Sequence, residues 1–389
     1  MIRRVFMIIL DKPYVSSFLI ETLQQHQIPV LINNENLSLE SKTLNEIEEE
    51  RFFTAFKSAL PPLLTNSENA LSMIYKHLEG TELVKTTQIL KDKAEFRKKT
   101  SQLYPDLYFK EVTRDQLTQI NSKEINYPCI LKPAVGFFSM GVYKIDNEKE
   151  WFAAIQQLEE EIAQVEGVYP DYVMDTAKFL IEQYIDGEEF AVDAYYDESG
   201  NPVILNVLKH LFAGDKDTSD RVYYTGKKVI QENKKAFLKE LQAIGEIFEL
   251  RNYPIHIEFR VTDRGQIFPI EINPLRFAGW CTTDIASYAF GINPYEYYLT
   301  NKAPDWDTIL KNMEDRFYSI TVADTSGVPQ SEINSVDYEG FLSLYNKVLA
   351  FRKIDFKEYP VFAFVFAEMT EIEEMNRILE LDLKEYIVE

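Results

Sequence analysis

The chain has 389 residues, 46% of them hydrophobic and 27% charged, a composition that supports two or three domains with sizeable cores. Its 63 acidic residues against 41 basic ones leave a net charge of -22, which argues against nucleic acid or an anionic membrane as a partner. The two cysteines, Cys129 and Cys281, stand alone, and the four histidines form no HExxH, so disulfide scaffolds, zinc sites and cysteine-histidine catalysis lack support.

The opening apolar run, Val5 to Leu10, stops at Asp11 and Lys12, too short for a signal-peptide core or a membrane span, and a cytoplasmic protein is expected. Residues 4 to 10, an amphipathic stretch near 14 to 26, and 28 to 32 read as strand, helix, strand of the parallel α/β type. No glycine precedes Gly80, so this unit lacks the turn a dinucleotide pyrophosphate needs, and it is taken as a substrate or packing domain. A charged helix is expected over 86 to 100. Strands follow at 128 to 132, 141 to 145, 178 to 185, 189 to 197 and 202 to 213, with helices at 148 to 164 and 231 to 250. Two strands, 255 to 262 and 266 to 273, flank Asp263-Arg264-Gly265, and helical patterns occupy 282 to 290 and 293 to 300. After Ala303-Pro304-Asp305, the strand YPVFAFVFAEM and the acidic helix TEIEEMNRILELDL suggest a small α+β unit.

The hairpin HIEFRVTDRGQIFPIEIN, residues 256 to 273, is the most informative segment. Ile255, Ile257, Phe259 and Val261 form one dry face, and Phe268, Ile270 and Ile272 are assigned to its counterpart on the second strand. With a two-residue loop at Arg264-Gly265, Glu258 lies opposite Glu271 and His256 opposite Asn273, all on the other face. Opposed like charges are destabilising, so a cation is expected between them. A three-residue loop with Gly265 in a bulge shifts the register by one and separates the carboxylates unless a second bulge restores them. Glu258, Glu271 and Asn273 are hard oxygen donors of the kind magnesium favours, with manganese as an alternative. His256 is placed near this face.

In YPCILKPAVGFFSMGVYKI, residues 127 to 145, Lys132 ends a buried strand and needs an anion, and the loop from Gly136 to Gly141 has backbone N-H groups and Ser139 for phosphates. In FLIEQYIDGEEFAVDAY, residues 179 to 195, Glu182 and Glu189 flank a hinge at Asp186-Gly187, a spacing suited to the amino group of a purine and to ribose hydroxyls.

Taken in order, DKAEFR, LKPAVGFFSMGV, LIEQYIDGEEF, HIEFRVT and IEINP resemble the ATP-grasp superfamily over roughly residues 85 to 300, more than half the chain. The resemblance implies α/β plus α+β architecture: an N-terminal α/β domain over 1–85, an ATP-grasp domain over 86–303 with lobes at about 105–185 and 186–303 clamping ATP, and the C-terminal α+β unit over 304–389. It implies that Lys93 and Lys132 contact the nucleotide, that Gly136, Ser139 and Gly141 form the phosphate loop, and that Glu182 stands on the adenine side. Gln183, Tyr184 and Ile185 then supply hinge backbone, Glu189 the ribose contact, and Glu258, Glu271 and Asn273 the metal ligands.

Two departures stand out. Phe137 and Phe138 occupy positions that are usually small and polar, and where the family reads E-x-N-x-R, Leu275 takes the arginine's place and Arg276 follows one residue later. Arg276 and Lys132 are the expected catalytic residues, and Lys216 and Arg221 are further candidates for the γ-phosphate or substrate. The implied activity is an ATP- and magnesium-dependent carboxylate-amine ligase acting on small molecules through an acyl phosphate, with a homodimer compatible. A non-catalytic ATP-binding regulator and an ATP-grasp kinase are the alternatives.

Overall fold

In a computed structural model, residues 6–33, 44–136, 141–165, 176–214, 217 and 219–388 are described. The chain divides into two compact units, one of Met1–Glu188, Asp193–Val203 and Leu238–Cys281, the other of Glu189–Val192, Ile204–Phe237 and Thr282–Glu389.

The first unit begins with a four-stranded sheet in the order Asn45–Glu46, Pro29–Ile32, Met7–Leu10, Leu63–Thr65. Met7–Leu10 is buried along its whole length and pairs in parallel with both neighbours, as expected of a strand covered on two faces. Ser16 caps helix Ser17–His26 by accepting from Leu19 N, and left-handed Gln27 ends it. The parallel α/β reading of the N-terminus holds.

The charged stretch expected as one helix over 86 to 100 is two, Glu82–Lys91 and Lys93–Thr100. Asp92 breaks it: its backbone is extended, at φ -81 and ψ 108, and its carboxylate accepts from Ala94 N and Glu95 N. An aspartate competing locally for backbone N-H groups starts a new helix rather than continuing the old one.

Next comes an antiparallel sheet in the order Phe109–Thr113, Lys178–Gln183, Cys129–Pro133, Tyr143–Ile145. Helix Glu148–Val165 turns Trp151, Ala154, Leu158 and Ile162 onto Leu131, Phe179 and Ile181, the three- and four-residue spacing of one helical face. The hairpin Tyr253–Val261 and Ile267–Pro274 also belongs to this unit.

In the second unit, Pro202–Leu211, from Ile204 on, pairs with Val222–Gly226, then come Phe317–Asp324, Val361–Met369 and Val348–Lys353, all antiparallel. The α+β character expected past residue 303 is present, and its strands share a sheet with the two preceding ones. Val361–Met369 is buried at all but Glu368, fitting an interior strand. Helix Ile372–Leu379 follows, opened by a capping box between Glu371 and Glu374.

Gly187, at φ +154, passes so close to the hairpin that a Cβ there would sit 2.2 Å from the Val261 oxygen. Gly265, at φ +74, has open space around it. Gly187→Ala is therefore expected to lower stability by roughly 2–4 kcal/mol and Gly265→Ala by only about 1 kcal/mol, as read by urea denaturation of each variant.

Candidate nucleotide and metal site

Across the hairpin, His256 pairs with Asn273, Ile257 with Ile272, and Glu258 with Glu271. The two carboxylates are directly opposed on one face, and Ile255, Ile257 and Ile272 are buried on the other. The turn, however, is the three-residue alternative. Thr262 N donates to Gln266 O at 2.9 Å and Gly265 N to Thr262 O at 2.8 Å, closing Asp263-Arg264-Gly265 with Gly265 left-handed. Near the turn the pairing is one residue off, with Phe259 opposite Pro269 and Arg260 opposite Phe268. An irregularity between Glu258 and Phe259 then leaves Ile270 out of the pairing and restores the carboxylate register. The single dry face expected on the second strand is therefore split: Ile272 is in the core, and Phe268 and Ile270 pack with Tyr104, Leu107 and Ile185.

The cation expected beside the opposed carboxylates is supplied by the chain itself. Lys93 Nζ lies 2.9 Å from Glu271 Oε2, and Lys91 Nζ lies 3.7 Å from Glu271 Oε1. Lys91 also donates to Asn273 Oδ1 at 3.2 Å. Burial pushes the Glu271 carboxyl up, but attraction to Lys93 and Lys91 outweighs it and holds the group below its ordinary range. The donors are two carboxylates and a carboxamide; among the described residues no set of three His, Cys, Asp or Glu is grouped for a metal. Their hard carboxylate and carboxamide oxygens are the donor type that suits a magnesium-type ion, for which the lysines compete.

Lys132 is buried at the end of Cys129–Pro133 and pairs with Glu182, whose other oxygen accepts from Arg97 Nε at 2.9 Å. Burial alone would raise the Glu182 carboxyl, yet Arg97 and Lys132 bring it down to about 2. Burial depresses the Lys132 ammonium, with Arg97 and Lys93 adding repulsion that Glu182 opposes. Glu182, expected at the adenine amino group, thus holds the two cations, and the Arg97 guanidinium reaches Ile270 O at 3.5 Å.

Along the hinge, Gln183 N donates to Tyr108 O and Tyr184 N to Pro128 O, at 3.0 and 3.1 Å. The Tyr184 ring lies under Lys144 at 4.3 Å. Gly136 and Gly141 flank the segment expected to be the phosphate loop, and Gly141 at φ +69 would bring a Cβ to 3.2 Å from Pro133. Ser139, with Phe137 and Phe138, lies outside the described residues, as does Lys216.

Glu189 belongs to the second unit, where His210 Nδ1 donates to its Oε1 at 2.9 Å and His210 Nε2 faces Ser219 O at 3.0 Å. Arg221 donates to the Leu379 and Leu381 carbonyls at 3.2 and 2.7 Å, which ties it to the C-terminal residues.

Arg276 is buried, its Nη2 paired with Glu68 and its Nη1 donating to Phe277 O at 2.9 Å. The extra residue ahead of it is absorbed by Leu275 in the left-handed region, at φ 60. Leu275 O accepts from Thr65 N at 2.7 Å and Thr65 Oγ1 at 3.3 Å. His256 Nδ1 lies 2.8 Å from Asp193 Oδ1, which also accepts from Ala278 N at 2.8 Å, and His256 Nε2 is 3.8 Å from Glu258. Sequence reasoning missed Lys91, Arg97, Glu68 and Asp193. Arg97 stands within the motif DKAEFR and was open to discovery there; Glu68 meets Arg276 across 208 positions, and no local pattern announces that contact.

Glu182 gives a pH prediction. Its carboxyl titrates lower folded than its ordinary 4.5, so the stability it contributes is complete above that value and lost as pH falls from about 4.5 to about 2. The contribution is roughly 3 kcal/mol. Glu182→Gln is expected to flatten that part of the acid limb in urea titrations, and to lower stability at neutral pH by roughly 3–5 kcal/mol because Arg97 and Lys132 lose their buried counter-charge.

The family model described as "ATP-grasp domain" matches residues 125–284. Among solved structures, the chain is similar to L-amino acid ligase from Bacillus licheniformis, at 18% identity and TM-score 0.64, covering 99% of this chain and 98% of that one. It is also similar to N5-carboxyaminoimidazole ribonucleotide synthetase from Thermotoga maritima, at 15% identity and TM-score 0.63, covering 98% of each chain. A biotin carboxylase from Campylobacter jejuni matches at 14% identity and TM-score 0.63, covering 96% of this chain and 89% of that one. With the motifs in order and this family match, residues 125–284 of the chain are an ATP-grasp domain, and the chain shares the fold of these enzymes.

Proposed function

We propose that this chain is an ATP-dependent carboxylate-amine ligase that activates a small carboxylate, an amino acid among the candidates, as an acyl phosphate. The observation that carries the reading is the opposition of Glu258 and Glu271 beside Asn273, with Lys91 and Lys93 at the same carboxylate. That donor set fits magnesium or manganese held by Glu258, Glu271 and Asn273, which would supply charge neutralisation at the terminal phosphates. The fold shared with an L-amino acid ligase and with a carboxyaminoimidazole ribonucleotide synthetase supports the same class.

In this reading Lys93 and Lys132 offset phosphate charge, and the loop from Gly136 through Ser139 to Gly141 donates backbone N-H groups. Gln183, Tyr184 and Ile185 present hinge backbone to the adenine. A carboxylate oxygen of the substrate attacks the terminal phosphorus, the bond to the bridging oxygen breaks, and ADP leaves. The amine nitrogen then attacks the acyl carbon, gives up a proton, and phosphate departs. Arg276 Nε, which has no hydrogen-bond partner among the described residues, is the donor assigned to the developing oxyanion.

The test supplies ATP, magnesium and pooled amino and keto acids with amines, and reads ADP and new product masses. ADP formed in step with an amide, and an acyl phosphate trapped by hydroxylamine when amine is withheld, are the expected results. Glu271→Gln should cut ADP formation by roughly a hundredfold while circular dichroism shows the folded protein. Lys132→Ala should weaken ATP binding in calorimetry. ADP with a phosphorylated acceptor and no amide would replace ligation with a kinase, and ATP binding without any ADP would leave a regulator.

A further inference from the structure

Glu68 stands in a short turn, Glu68–Ala70, that follows the last strand of the N-terminal sheet. Its Oε2 accepts from Lys91 Nζ at 2.7 Å, and its Oε1 pairs with Arg276. Three residues earlier, Thr65 grips the carbonyl of Leu275. One segment of the N-terminal sheet thus holds both the backbone and the guanidinium at the end of the hairpin. Burial works against ionising Glu68, but Lys91 and Arg276 hold its carboxyl well below the usual range.

Lys91 has two competing claims on it. Its short contact is to Glu68, and its longer ones, at 3.2 and 3.7 Å, are to Asn273 Oδ1 and Glu271 Oε1. Those two oxygens belong to the donor set assigned above to the metal. An ammonium centred on them would both occupy their lone pairs and repel a divalent ion.

We infer that Glu68 is a positioning residue for metal binding: its carboxylate takes the shortest of the three contacts of Lys91 and so weakens that ammonium's hold on the oxygens of Glu271 and Asn273. The inference rests on the ligase reading for the identity of those ligands. It assigns the N-terminal sheet an electrostatic task at the site, through one side chain, with no contact to nucleotide required. Neutralising Glu68 would release Lys91 toward the carboxylate of Glu271, which it already touches. The same change would leave the neighbourhood more positive and so more attractive to a metal-free polyphosphate.

These two effects have opposite signs, and that separates positioning from general damage. The probes are Mn2+ in the presence of ADP, followed by electron paramagnetic resonance, and ADP alone in EDTA, followed by calorimetry. In Glu68→Gln, Mn2+ binding should weaken roughly tenfold while binding of metal-free ADP stays equal or tightens. Glu68→Asp, which keeps the charge on a shorter arm, should fall between wild type and Glu68→Gln. Adding Lys91→Met to Glu68→Gln should bring Mn2+ affinity back toward wild type, because the competing ammonium is gone. Loss of both affinities together, loss of neither, or no recovery in the double variant would overturn the assignment. Wild-type protein that binds neither probe would overturn the ligase reading and this one with it, a result distinct from wild-type binding that Glu68→Gln leaves untouched.

Discussion

Charge without water is the constraint on which the first unit depends. Lys91, Lys93, Arg97, Lys132 and Arg276 are all buried. An ammonium or guanidinium withdrawn from water loses several kcal/mol of hydration unless partners replace it. The partners are Glu68, Glu182 and Glu271, each touching two cations. Five cations are thereby held inside a chain whose net charge is -22, each against a shared carboxylate.

The network exists because the backbone departs from regularity at particular points. Asp92 interrupts what composition alone would make one helix, and Lys91 and Lys93 on either side of the break both reach Glu271. In an unbroken helix two residues apart point in divergent directions and would not converge on one carboxylate. In the hairpin, the left-handed Gly265 and the irregularity beside Glu258 offset one another. Leu275 adopts a conformation disfavoured for a bulky side chain, and its carbonyl is held there by Thr65.

Charge pairing also links segments far apart in sequence. Glu68 joins the N-terminal sheet to Arg276, and Asp193 joins a neighbouring strand to His256 and to the backbone of Ala278. Each carboxylate accepts two bonds, so its loss would leave two donors unsatisfied rather than one. Glu68, Glu271, Lys91, Lys93 and Arg276 are therefore one electrostatic unit, in which a change at either carboxylate is felt by the other.

What the sequence determined by itself was the periodic and the local. The buried run Met7–Leu10 and the helical face of Trp151, Ala154, Leu158 and Ile162 follow from side-chain repeats of two or near four, which burial enforces. Motif order carried the resemblance to the ATP-grasp domain that the family model matches at residues 125–284. Tertiary structure alone decided the turn at Asp263-Arg264-Gly265, since two- and three-residue loops both satisfied the hairpin pattern and only the compensating irregularity beside Glu258 made the longer one compatible with the opposed carboxylates. It also decided the identity of the cation at Glu271, the confinement of Glu182 to Arg97 and Lys132, and the grip of Glu68 on Lys91 and Arg276. Those pairings join residues whose separation along the chain carries no periodic signal, and they are selected by the need to satisfy each charge once water is gone.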